Sequence, residues 1–257
     1  MPRPARFPIA TKCENQNMPV HMFVVESVRD SALGGDSVNA TLPIVRSYFQ
    51  DFQLTGELET RMRCRGTAEL LGAINEFVTW AGNRPYDDPK WLWISLHGRK
   101  PARPQQVGTQ GVAVAVSGKS GAAHVATSED FDWHQVFAPL TKSSVPNVII
   151  VMDVCWGGSP SAPSRATGLS GGPSFLFGPN RSAHRLELNT ATALLASLIR
   201  NGKLPTIKEA KQIVSILNKS FPKDPDSGKE FYRVWWWKNG YQRCFPKPSG
   251  GVKRVSP

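Results

Sequence analysis

Asn147-Val-Ile-Ile-Val-Met-Asp-Val-Cys-Trp-Gly-Gly158 is the stretch on which the fold turns. Residues 147–152 form a short, unbroken apolar run rich in β-branched side chains. Such a run suits a central parallel strand buried on both faces, because alternation is needed only where one face meets water. The run ends in Asp153-Val154-Cys155, and functional residues gather just beyond the carboxyl ends of parallel strands. Upstream, Trp91-Leu-Trp-Ile-Ser-Leu96 reads as a second buried strand, delivering His97-Gly98 at its own carboxyl end.

Strand and amphipathic helix alternate along the chain, the pattern of a three-layer α/β sandwich with a mostly parallel sheet between helices. A first strand is expected over 21–28, followed by a helix ending near Phe49 or Phe52. Pro43 must lie in that helix's first turn, because deeper placement removes a hydrogen bond and clashes. An alternating strand follows over 58–65. The next helix carries Leu70, Leu71, Ile74, Phe77 and Val78 on one face. Gly111–Val116 reads as an arm of a hairpin. Ser128 is placed to cap a helix bearing Phe131, Val136, Phe137 and Leu140. After a Gly/Ser/Pro-rich stretch over 157–173 come a short strand at 174–177 and helices over 190–200 and 207–219. Thr206 and Glu209 form a capping-box pattern ahead of the last helix. Residues 232–237, with Trp235-Trp236-Trp237, read as a late strand: one or two indoles in the core, the remainder a wall or contact. One domain over 19–245 is expected, with a flexible segment over 1–18 and a flexible tail over 246–257.

Composition narrows the function. The chain has 257 residues, 40% hydrophobic, enough for a sizeable core. No apolar run approaches the roughly 20 residues that span a bilayer, and no secretory leader is visible. The four cysteines form no CxxC pair, which argues against a disulfide scaffold and against zinc. A cytoplasmic setting is expected. With 31 Lys+Arg against 20 Asp+Glu the formal charge is +11, but no run of five basic residues occurs. Arg61, Arg63 and Arg65 alternate on one strand face. A solvated basic surface is favoured over nucleic-acid binding.

A thiolate attacks far better than a thiol, and an imidazole that takes its proton and returns it to a leaving amine completes a nucleophilic dyad. Cys155 and His97, on two strand ends, supply that pair. Glycine directly after His97, and one residue beyond Cys155, leaves room for the Gly98 and Cys155 amides to meet a developing oxyanion. A Cys-based α/β-hydrolase wants Gly-x-nucleophile-x-Gly and a later histidine, but Asp153 stands two before Cys155. A Cys-phosphatase wants an Arg six residues after the Cys, which is absent.

Ser95-Leu-His-Gly98 and Asp153-Val-Cys-Trp-Gly157 together resemble the caspase-like cysteine peptidases: caspases, metacaspases, paracaspases and CHAT-type proteases. The resemblance covers element order over about residues 20–220. It implies a sheet of about six strands, a Cys155/His97 dyad, an oxyanion hole at Gly98 and Cys155, and cleavage after one preferred side chain. Where caspases carry Gln, this chain has Asp153, as metacaspases and paracaspases do, which implies cutting after Arg or Lys. A carboxylate can pair with a guanidinium through two charge-assisted bonds. Asp30 and Asp36 fall in a loop that walls the pocket in the family. Trp156 either shapes the cleft or packs. Arg165 falls where relatives are cut to mature, so self-cleavage there is expected. The partners implied are a protein substrate and a regulatory protein, with no membrane. No cofactor is expected. Calcium supports some metacaspases, but Asp87-Asp88, Glu129-Asp130-Asp132 and Asp224-Asp226 match no EF-hand loop. The rival reading is a catalytically silent caspase-like or basic nucleic-acid-binding module.

Overall fold

The protein is described from a computed structural model, which covers residues 19–27, 41–51, 56–64, 67–98, 114–116, 129–131, 139–140, 145–158, 174–199, 203–238 and 241–247. In chain order the elements are β1 (Val20–Ser27), α1 (Thr41–Asp51), β2 (Gly56–Cys64), α2 (Thr67–Gly82), β3 (Lys90–Ser95), β4 (His97–Gly98), β5 (Val114–Val116) and β6 (Glu129–Phe131). They continue with β7 (Val148–Asp153), β8 (Phe175–Pro179), α3 (Arg185–Ile199), α4 (Ile207–Ser220), β9 (Tyr232–Lys238) and β10 (Tyr241–Phe245).

Seven strands form the main sheet in the order β10-β9-β8-β7-β3-β1-β2. The five from β8 to β2 run parallel, and β9 and β10 close one side antiparallel. The apolar run of β7 takes the middle position, and β3 and β7 are buried along their whole length. Burying each Ile, Val or Met of β7 contributes about 2 kcal/mol. Alternation sends Phe23, Leu92 and Ile150 into one core with Leu70, Ile74 and Phe77 of α2. It sends Met22, Trp91 and Ile149 into a second core with Ala191 and Leu195 of α3 and Val214 and Leu217 of α4. The result is an α/β fold with helices over both faces of a central sheet.

Three expectations need adjustment, and the expectation of one or two core indoles holds at its upper bound. The sheet has seven strands rather than about six, because β10 adds an antiparallel edge beyond β9. Phe131, expected on a helix capped by Ser128, lies in β6, which pairs with β5 in a small second sheet with β4. The helix expected over 190–200 begins at Arg185, because Glu187 reaches back to accept the His184 amide at 2.8 Å and satisfies an otherwise open first-turn donor. Trp235 and Trp236 are both buried, one in each core. The capping box at Thr206 and Glu209 forms as read, and Pro43 falls in the first turn of α1.

Candidate active site

β3 and β7 are paired in register through Ser95 and Asp153. His97 and Cys155 each stand two residues beyond that pair. His97 and Gly98, described by their backbone, turn away from the main sheet into β4, opposite Ala115 and Val114 of β5. Asp30, Asp36 and Arg165 lie outside the described residues.

Beyond β7 the chain turns sharply. Trp156 adopts φ 67°, a left-handed conformation unusual for a large side chain. Its N–H donates to Arg181 O at 3.1 Å, that of Gly157 to Val154 O at 2.9 Å, and that of Gly158 to Pro179 O at 2.6 Å. Gly158 and Gly178 meet backbone to backbone: a Cβ on Gly158 would fall 2.1 Å from Gly178 O, and one on Gly178 2.6 Å from Gly158 N. The Trp235 indole N–H donates to Gly158 O at 3.0 Å. Trp156 itself is buried in the first core, its indole donating to Ser182 Oγ at 3.2 Å and its ring lying 4.8 Å from Lys229 Nζ.

Cys155 is half-buried, and its Sγ sits against one residue of the segment between β8 and α3. The Ala183 N–H donates to Sγ at 3.4 Å, and Sγ lies 3.7 Å from Ala183 O. Burial pushes the Cys155 thiol up, and the charges of Asp153 and Glu187 add to that; the contact with Ala183 pulls the other way without reversing it. Burial therefore favours the thiol over the thiolate.

The Ala183 segment is itself pinned. Arg181, buried, sets its guanidinium on Glu187 in a fork of 2.6 and 3.0 Å, and also donates to Ser182 O at 2.7 Å and Pro222 O at 3.0 Å. Its guanidinium lies 4.9 Å from the Phe231 ring. Burial works against the Glu187 charge, but the Arg181 fork and the His184 amide outweigh it and hold that carboxyl below the usual range. Sequence reading missed this segment. Its one local signal is Glu187 three residues after His184, half of a capping box.

Asp153 is buried, and Ser95 Oγ donates to its Oδ2 at 3.4 Å. Glu26, fully buried, is the register partner of Ser95 on the other side. Two acids therefore flank one serine at the carboxyl ends of three adjacent strands. The nearby Tyr232 phenol is pushed well up, by burial first and by Asp153 second.

The other flagged groups are engaged elsewhere. Arg61 pairs with Glu59 and Glu76. Asp88 pairs with His21 at 2.9 Å. Asp224 Oδ1 accepts the Asp226 and Ser227 amides. Among the described residues no group of three or more His, Cys, Asp or Glu is placed to hold a metal, and no helix is long and apolar enough to cross a membrane.

Neither a protein-family model nor a curated protein matches the chain. Among solved structures it is similar to a secreted C11 cysteine protease from Bacteroides thetaiotaomicron, "iotapain". The TM-score is 0.51 at 10% identity, over 85% of this chain and 67% of that one. The likeness is one of fold. A second similar structure, protein GSU0716 from Geobacter sulfurreducens, has a TM-score of 0.42 at 12% identity, over 80% of this chain and 90% of that one.

Proposed function

We propose that the protein is a cysteine endopeptidase that cuts a specific protein target after Arg or Lys. The reading is carried by one observation: Cys155 stands half-buried past the end of the central strand, two residues beyond a register pair whose other strand leads into His97. A fold shared with a C11 cysteine protease supports it.

Because burial favours the thiol, the reaction needs a base at the moment of attack. His97 takes the Cys155 proton, and the thiolate adds to the scissile carbonyl. The Cys155 amide and that of Gly98 meet the oxyanion, a contribution typically worth about 3 kcal/mol per donor. His97 then protonates the leaving amine, leaving a thioester that water hydrolyses with His97 as base. Asp153, held by Ser95, is the carboxylate for a basic side chain at the cleavage position, with Asp30 and Asp36 as further candidates. No metal takes part in this scheme. The setting proposed is cytoplasmic, with self-cleavage at Arg165.

The test is a fluorogenic peptide panel with Arg, Lys, Asp or Leu at the cleavage position, run with and without calcium. Turnover of Arg and Lys peptides that Cys155→Ala abolishes is the expected result. No turnover anywhere in the panel sinks the enzyme reading, and salt-dependent nucleic-acid binding in its place would favour the silent module.

A further inference from the structure

We infer that the buried Arg181–Glu187 pair is a positioning device for Cys155: it clamps the Ala183 peptide against Sγ and sets how readily the thiol gives up its proton. This rests on Cys155 being the reactive thiol.

The geometry leads there step by step. Arg181 grips the base of the segment three times over, through Glu187, Pro222 O and Ser182 O, while its own carbonyl accepts the Trp156 amide. Glu187 grips the far end through the His184 amide. Ala183 lies between the two grips, and both its N–H and its C=O face Sγ. The carbonyl suits the thiol and the N–H suits the thiolate, so one peptide attends both protonation states without moving. Ala183 packs against the second core, and the ion pair fixes the backbone on either side of it.

The pair also acts by charge. Asp153 and, after it, Glu187 oppose ionisation of Cys155, and the Arg181 guanidinium forked onto Glu187 carries the opposite charge. Among the described residues, Lys229 lies over the Trp156 ring and His184 follows Ala183. Removing either member of the pair alone should therefore shift Cys155 in opposite directions.

The experiment follows alkylation of Cys155 by iodoacetamide against pH in the intact chain, reading the Cys155 peptide by mass spectrometry. This needs no turnover. Glu187→Gln should lower the midpoint and speed alkylation at pH 7.5 by about threefold; Arg181→Gln should raise it and slow alkylation by about threefold, sizes expected of one charge several ångströms away in a partly wet site. The double variant Arg181→Gln/Glu187→Gln, which leaves no buried charge unpaired but frees the Ala183 peptide, should raise the midpoint, because the thiolate loses the Ala183 N–H. Arg181→Lys, which keeps the charge but not the fork, should raise it less than Arg181→Gln does. Shifts of the same sign in Arg181→Gln and Glu187→Gln, or a wild-type midpoint in the folded double variant, overturn the proposal. If a single variant fails to fold, the double variant decides. Opposite shifts in a chain that cleaves no peptide would sink the peptidase reading and leave this one standing.

Discussion

The two ends of the parallel strands bury polar groups in contrasting ways. At the amino ends, Lys90 is fully buried and donates to Pro85 O at 2.5 Å and Tyr86 O at 3.0 Å. Asn147 donates to Tyr86 O at 3.4 Å and Asp87 O at 3.1 Å, and His21 pairs with Asp88. These groups close one turn, over residues 85–88. At the carboxyl ends, the Arg181–Glu187 network holds a peptide against a sulfur whose own chemistry is left open. Polar burial at one end closes a turn and at the other holds a peptide against the Cys155 sulfur.

That contrast can be broken by experiment. The largest effect expected is from Cys155→Ala, which should cut turnover of Arg and Lys peptides by about three orders of magnitude or more, with the melting temperature held within about 2 °C. A large loss of stability would mean that the carboxyl end, too, is structural. Lys90→Met should do the reverse. It removes the two bonds from Lys90 to the 85–88 turn and should cost about 2 kcal/mol by urea titration, while leaving Cys155 alkylation unchanged in native buffer. Asp153→Asn should lower kcat/KM for Arg peptides by about 100-fold and speed Cys155 alkylation, because it removes a charge that opposes the thiolate. Equal loss on Arg and Leu peptides would remove Asp153 from specificity.

The smallest effect is alkaline. Burial raises Cys64 from 9.0 to about 11 and raises Cys155 and Cys244 in the same direction. A folded value above the unfolded one gives stability that is fully present below about pH 9 and is lost as pH rises through the folded value. Melting temperature should therefore fall between about pH 9 and 11, and Cys64→Ala should flatten that fall.

Much of this was legible in the residues. β3 and β7 declare themselves as unbroken apolar runs, and the Thr206–Glu209 box marks the start of α4 to the residue. Cys155 and Asp153 come with β7, and the register of Ser95 with Asp153 brings His97 to the neighbouring strand end. What could not be read depends on contacts distant in sequence. The Ala183 peptide meets Cys155 across 28 residues, and Asn180-Arg-Ser-Ala-His184 has no periodicity to mark it. β6 was mistaken for helix because Phe131, Val136 and Leu140 fit a helical stripe as well as any, and only pairing with Val114–Val116 decides between the two. Glu26 ends an apolar strand like any acid entering a loop; its burial beside Ser95 comes from the sheet register.

The meeting of Gly158 with Gly178 has a mechanical consequence. With no side chain on either, the turn after Cys155 is bolted to β8 and tied again by Trp235, so the chain leaves residue 158 from a fixed post. A pull on the polypeptide beyond that post, or a nick at Arg165, is borne by the bolt. Cys155 is insulated from a pull on the chain beyond residue 158, as a rope made fast to a cleat transmits no tension to the end behind it.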